Sequence, residues 1–182
     1  MNMNVAAVST RYSTAQRALH WLSVLAITIA YVAIEVRSDM PKTNAWRPLV
    51  TQVHFWAGLS VLAMLLARLA LRWKRPSPAI APAPDALSAR LAGITHLAIY
   101  AVLLVQPALG LLAAAAGGKA VVVPLLGLAL PALIGRSESA EHRFEGWHEE
   151  LGELFYFVIA LHVAAALWHH LVRRDNTLRR ML

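Results

Sequence analysis

Apolar residues in this chain run in long blocks rather than in alternation. Four blocks, roughly 18–36, 52–72, 93–116 and 150–172, are each long enough to cross the ~30 Å hydrocarbon layer of a bilayer as a helix. A fifth, 121–134 (VVVPLLGLALPALI), has only fourteen residues and is interrupted by Pro124, Gly127 and Pro131. It reads as an interfacial or re-entrant loop rather than a span. Residues 1–12 read as a frayed tail. Ser13 or Thr14 is placed to cap the first helix and Asn44 the second, because their side-chain oxygens accept the orphan N–H groups of a first turn. The 74–86 connector carries four prolines and is expected to be extended, and Pro107 is expected to kink the third helix. No internal repeat and no soluble domain is visible. The pattern predicts an all-α integral membrane four-helix bundle, one domain over residues 1–182.

Composition supports this reading. Hydrophobic residues make up 58% of the 182 and charged residues only 15%, with a mean hydropathy of +0.53. The net charge of +7 is not a nucleic-acid signal, since the basic residues sit in short connectors beside the spans. If both termini and the 73–91 connector are cytoplasmic, that side holds eleven Lys and Arg against two acidic residues, and the other side six against eight. The bias predicts an N-in, C-in topology. The first block is longer than a signal-peptide core and is followed by no clean A-x-A site, so it is read as a retained span. Cysteine is absent, which excludes disulfides, thiolate metal sites and C-x-x-C-H haem attachment.

The chemistry lies in the histidines. His142 falls in a charged outer stretch and reads as a solvated loop residue, whereas the other seven lie in or at the ends of apolar helices, where an ionisable group needs a partner or a task. His148 and His162 are fourteen residues apart in the fourth block, nearly four helical turns, and so face the same way about 21 Å apart along the axis. Phe155 lies midway between them as an apolar spacer. Two ligand-type side chains near opposite ends of one membrane helix suggest two cofactors stacked across a bilayer, and haem, held non-covalently as the b type, fits best. Bis-histidine ligation needs imidazoles from facing helices at matched depth. On the outer side His54 matches His148. On the inner side His162 has two candidate partners, His20 and His96, both nominally nearer the surface. Zinc and di-iron readings fare worse. Gly152 stands where H-E-x-x-H would need its second histidine, and His169 and His170 point to different faces.

The motifs AQRALHWL around His20, QVHFWAG around His54, THLAIY around His96 and GWHEELGELFYFVIALHVAAALWHH in the fourth block, with the ending RRDNTLRRML, resemble the bacterial cytochrome b561 family of four-helix dihaem membrane proteins from Gln16 to Leu182. The resemblance implies that His20 and His162 ligate a cytoplasmic-side haem b and that His54 and His148 ligate a periplasmic-side one. It also makes His96 and His169 candidates for a ubiquinone site, beside the plainer reading of both as packing histidines. The location it implies is the bacterial inner membrane.

Within that family the likeness is to members that take electrons from superoxide. The implied activity is oxidation of periplasmic superoxide to O₂, with electrons passing through two haems to ubiquinone. Arg37, Lys42 and Arg47 are candidates for steering the anion, while the acidic stretch from Glu138 to Glu153 opposes a uniformly positive entrance. The alternative is an electron-transfer subunit without activity of its own, linking a periplasmic redox partner protein to the quinone pool.

Overall fold

A computed structural model describes residues 10–123 and 127–182. The frayed-tail expectation for residues 1–9, and Pro124 in the fifth apolar block, lie outside the described residues. The elements are α1 (Thr14–Asp39), α2 (Arg47–Lys74), α3 (Ala86–Ala116) and α4 (Glu138–Leu171), and the described residues contain no named strand, only an isolated bridge between Val122 and Ala129. All four helices are long and apolar enough to cross a membrane. Their large side chains face outward, as lipid requires: Phe157, Leu161 and Leu167 on α4 are exposed, as are Leu25 and Val32 on α1.

Each helix begins for an identifiable reason. Ser13 and Gln16 form a capping box, with the Gln16 N–H donating to Ser13 Oγ at 3.3 Å and the Ser13 N–H donating to Gln16 Oε1 at 3.1 Å. Asp85 caps α3 through the Ser88 N–H at 2.9 Å. The expectation for Asn44 is corrected: the N-cap position of α2 is Trp46, with Pro48 in the first turn, and Asn44 Oδ1 accepts from the Trp46 N–H at 2.9 Å. Asn44 shapes the turn before the helix rather than its first turn. The start of α4 is also corrected, from about 150 to Glu138. Ser137 caps it through the Ala140 N–H at 3.3 Å, and Glu138 and Glu141 complement the positive helix end. At 34 residues the helix runs about 51 Å, longer than the apolar layer, so its charged first turns project beyond it. His142 is therefore helical, though still solvated as expected.

Two hairpins make the bundle. α1 packs along α2 and α3 along α4, while the hairpins meet more sparingly through α2 and α3. A central layer of Ala26, Val61, Leu65, Val102, Leu103 and Phe155 joins them, with Leu65 1% exposed and Phe155 3%. Among its described residues the fifth apolar block contains no spanning helix. Its first part folds onto α2, with the Val122 N–H donating to Gln52 Oε1 at 3.1 Å and Trp56 Nε1 to the Val122 carbonyl at 2.5 Å.

The opposite end is closed by the C-terminal segment. The Tyr12 N–H donates to the Arg180 carbonyl at 3.0 Å, Arg17 reaches the Leu182 carbonyl, and Trp21 Nε1 donates to that of Met181 at 3.0 Å. Asn176 pairs with the α2–α3 connector, its Oδ1 accepting from the Ala81 N–H at 2.9 Å while its own N–H donates to the Ala81 carbonyl at 3.1 Å. Arg173 donates to Asp85 Oδ2 at 2.8 Å. Both ends of the described chain and the 75–85 connector thus share one end of the bundle.

Asp175 lies inside this closure, 3% exposed. Burial pushes its carboxyl up, but bonds from the His169 ring at 2.5 Å and the Thr177 N–H at 2.8 Å outweigh that and hold it below the ordinary aspartate value. A depressed folded-state value stabilises the fold above the unfolded value of about 3.9 and stops doing so as pH falls through the folded value. Asp175→Asn is accordingly expected to lower the melting temperature near neutral pH. The difference from wild type should shrink as the pH falls below the ordinary aspartate value, in melts followed by circular dichroism in detergent. Asn176→Ala is expected to cost about 0.5–1.5 kcal/mol in the same assay.

Candidate functional site

At the end of the bundle away from the chain termini, the outer end of the expected topology, His54 on α2 faces His148 on α4. Their ring centroids are 5.9 Å apart and their planes 88° apart. Each ring is fixed from behind. His54 Nδ1 lies 2.8 Å from the Ala30 carbonyl of α1, and His148 Nδ1 2.9 Å from the Gln106 carbonyl of α3. A carbonyl only accepts, so both Nδ1 atoms carry the proton and both Nε2 atoms keep a free lone pair, the tautomer of a metal ligand. Gln106 returns a second bond, Nε2 donating to the His148 carbonyl at 2.7 Å. Its Oε1 is buried without a hydrogen-bond partner.

Two mainly apolar clefts, of about 120 and 240 Å³, flank this pair, and His54, Gly58, Pro107 and His148 line both. A Cβ at Gly58 would have nothing within 4 Å, so the space beside His54 is open. At Gly110 a Cβ would come within 3.0 Å of His148 Cε1, so α3 passes the ring as closely as it does only because that residue is glycine. Arg37 and Lys119 also line the smaller cleft, and Arg37 Nε is buried without a partner. Of the other basic residues considered for steering, Arg47 is occupied at the end of α1, donating to the Arg37 carbonyl at 2.8 Å and that of Met40 at 2.5 Å. Lys42 lies in the exposed turn and lines neither cleft.

At the end that holds the chain termini, the inner end of the expected topology, three histidines converge. The His162 ring lies 6.4 Å from that of His20 and 5.6 Å from that of His96. The depth mismatch expected between His20 and His162 is therefore absent. Helix α1 starts at Thr14, four residues before the apolar block does, so His20 is already well inside it. His96 Nδ1 is bonded to the Ala92 carbonyl of its own helix at 2.7 Å, and its side chain is exposed. His169 stands apart from the cluster and pairs with Asp175. Sequence reasoning missed Arg68, whose Nη2 is 3.5 Å from His20 Nδ1 and whose guanidinium lies 5.8 Å from the Tyr100 ring centre. The signal was present in MLLARLALRW, a cation inside an apolar run.

The donor set can be tested against a haem. With metal–imidazole bonds of about 2.0–2.1 Å, two axial rings on one metal have centroids roughly 6.3 Å apart, taking about 1.1 Å from nitrogen to ring centre. The His20–His162 separation of 6.4 Å matches that span, His54–His148 at 5.9 Å is somewhat shorter, and His96–His162 at 5.6 Å shorter still. At the His54–His148 pair, imidazoles with free Nε2 atoms beside mainly apolar clefts suit a planar group bound on both faces.

The model of the family described as Prokaryotic cytochrome b561 matches residues 11–182. The chain belongs to that family. It is 33% identical over 172 residues to Cytochrome b561 homolog 1 of Escherichia coli K12, covering 94% of this chain and 97% of the relative. It is 32% identical over 172 residues to a protein of Yersinia pestis named Probable superoxide oxidase CybB, covering 94% and 96%. Cytochrome b561 homolog 2 of Escherichia coli K12 is 27% identical over 173 residues, covering 94% and 91%. Membership makes this a multi-pass membrane protein of electron transfer and implies b-type haem.

Because the space beside Gly58 is open, Gly58→Leu is expected to leave the helices intact while filling the cleft. Circular dichroism should be unchanged and haem content, measured as the pyridine haemochrome, should fall.

Proposed function

We propose that this protein is a single-domain dihaem cytochrome b561 of the bacterial inner membrane that oxidises periplasmic superoxide and reduces ubiquinone. The observation that carries the reading is the pair of facing imidazole sets at opposite ends of one bundle, with the buried Phe155 layer between them. His54 and His148 hold the periplasmic-side haem, and His20 and His162 the cytoplasmic-side one. When bound, the two haems supply one-electron relay chemistry without an open iron position. Each superoxide loses one electron and leaves as O₂; two such events and two protons turn one ubiquinone into ubiquinol.

Several features support this assignment. The positive bias of Lys and Arg at the end that holds both termini favours N-in, C-in. At the outer end Arg37, with its unpartnered buried Nε, and Lys119 line the smaller cleft together with Glu145 and Glu149, so among the described residues Arg37 is the one cation there left to meet a small anion. Lys119 also bonds Glu141 at 2.9 Å and reaches Glu145 at 3.7 Å, which offsets part of the acidic stretch. At the inner end His96, exposed beside His162, is the candidate to bond a quinone oxygen. His169, bonded to Asp175 at 2.5 Å on the same side, is the second candidate for that quinone site. The Yersinia relative's name supports superoxide as the donor.

Haem per protein in wild type, and with His→Ala at positions 20, 54, 148 and 162, tests the ligand set: two haems are expected, falling to one in each variant. Stopped-flow mixing with superoxide tests the substrate. Haem reduction no faster than with an inert weak donor overturns the activity.

A further inference from the structure

The two imidazole pairs are backed by opposite chemistry. Behind the outer pair stand acceptors: each Nδ1–H meets a main-chain carbonyl, at 2.8 and 2.9 Å. An imidazole that donates to a carbonyl becomes a more basic ligand and favours the oxidised metal. Behind the inner pair stands a cation. The Arg68 guanidinium is 3.5 Å from His20 Nδ1, beyond ordinary hydrogen-bond length, and no shorter polar contact to either the His20 or the His162 ring is found among the described residues. A guanidinium has no acceptor to offer, so His20 gains no basicity from it, and its positive charge disfavours the more positive, oxidised metal.

The surrounding charges reinforce the contrast. Glu35, Glu145, Glu149 and Glu153 line the clefts at the outer pair, against Arg37 and Lys119, and Lys119 is ion-paired. Among the described residues no carboxylate is within ion-pairing distance of Arg68. An unneutralised arginine inside a span is costly and implies a task.

We propose that Arg68 is a positioning residue for electron flow: standing behind His20, it raises the reduction potential at the inner pair above that at the outer pair, whose carbonyl partners lower it. The gradient holds the first electron at the inner end and opposes its return to the outer one. The inference rests on the ligand set proposed above.

Spectroelectrochemical titration tests it, with His20→Ala isolating the outer site and His54→Ala the inner one. The inner-only protein is expected to show the higher midpoint. In the His54→Ala background Arg68→Gln is expected to lower that midpoint and Arg68→Lys to retain most of it, whereas in the His20→Ala background both leave the midpoint unmoved. If His54→Ala does not accumulate, Arg68→Gln and Arg68→Lys in the otherwise native protein give the same reading, one of two titrating components moving down with the first and not with the second. An inner midpoint at or below the outer one, or unmoved by Arg68→Gln, overturns the proposal. A His20→Ala protein that keeps both haems overturns the ligand set instead.

Discussion

Everything in this bundle depends on keeping two helical hairpins close enough to share a core yet apart where imidazoles face each other. Apolar side chains alone would not fix such an arrangement, since lipid tails are as apolar as they are and hydrophobicity favours no one packing over another. The central layer of Leu65, Val102, Leu103 and Phe155 fixes the hairpins at one level. Beyond it, small residues and ring-backing carbonyls keep the space open: Gly58 leaves room beside His54, Gly110 lets α3 pass the His148 ring, and the Ala30 and Gln106 carbonyls hold the two rings opposite each other with their planes 88° apart. A half-buried imidazole in a membrane is tolerated because its polar edge is bonded, and the bond leaves the other nitrogen available.

The closure at the other end is built from different material. There the C-terminal segment runs across the α2–α3 connector and the start of α1. It is tied by main-chain carbonyls and by Asn176, Arg173 and Arg180 rather than by apolar packing. Arg180 is 7% exposed and its guanidinium lies 5.5 Å from the Tyr12 ring centre. The segment therefore behaves as a polar plug. Trp21, next to His20 in the chain, is bonded to it directly. The inner histidines are thus positioned partly by the last residues of the chain, so the resemblance noted in RRDNTLRRML has a physical counterpart.

Much of this could be read from the sequence, and the reasons are specific. The spans are long apolar blocks, and block length is set by bilayer thickness. The His54–His148 pair followed from depth, because both lie near the same end of their blocks. Other features were hidden. The start of α4 at Glu138 lies in a charged stretch that hydropathy cannot distinguish from a loop, although Ser137 followed by Glu138 and Glu141 is a helix-start pattern. Asn44 has the chemistry of a cap, yet a proline two residues after Trp46 moved the helix start beyond its reach. Depth alone left His20 and His96 as alternatives because helix tilt and length beyond the apolar block are tertiary properties. Gln106 looked only like a polar residue beside a kinking proline. Its role is visible only once α4 brings His148 against it.

Arg68 shows why a count of charges by side can mislead. As one of the basic residues near the end that holds the termini it adds to the charge bias, and by number it is interchangeable with Arg72 or Lys74. By position it is not. Arg72 donates to Ser77 in the connector at 2.9 Å, near the end of its helix, whereas Arg68 lies one turn deeper, over the Tyr100 ring and against His20. Since α2 also carries His54, one helix presents a ligand-type imidazole at its outer end and an unneutralised cation at its inner end. The same rigid element that sets the outer pair therefore sets the charge behind the inner one. A rotation of α2 sufficient to disengage Arg68 from His20 would also move His54 away from His148 and the Ala30 carbonyl. The two ends are consequently coupled through helix geometry, without any chain of contacts having to run through the core.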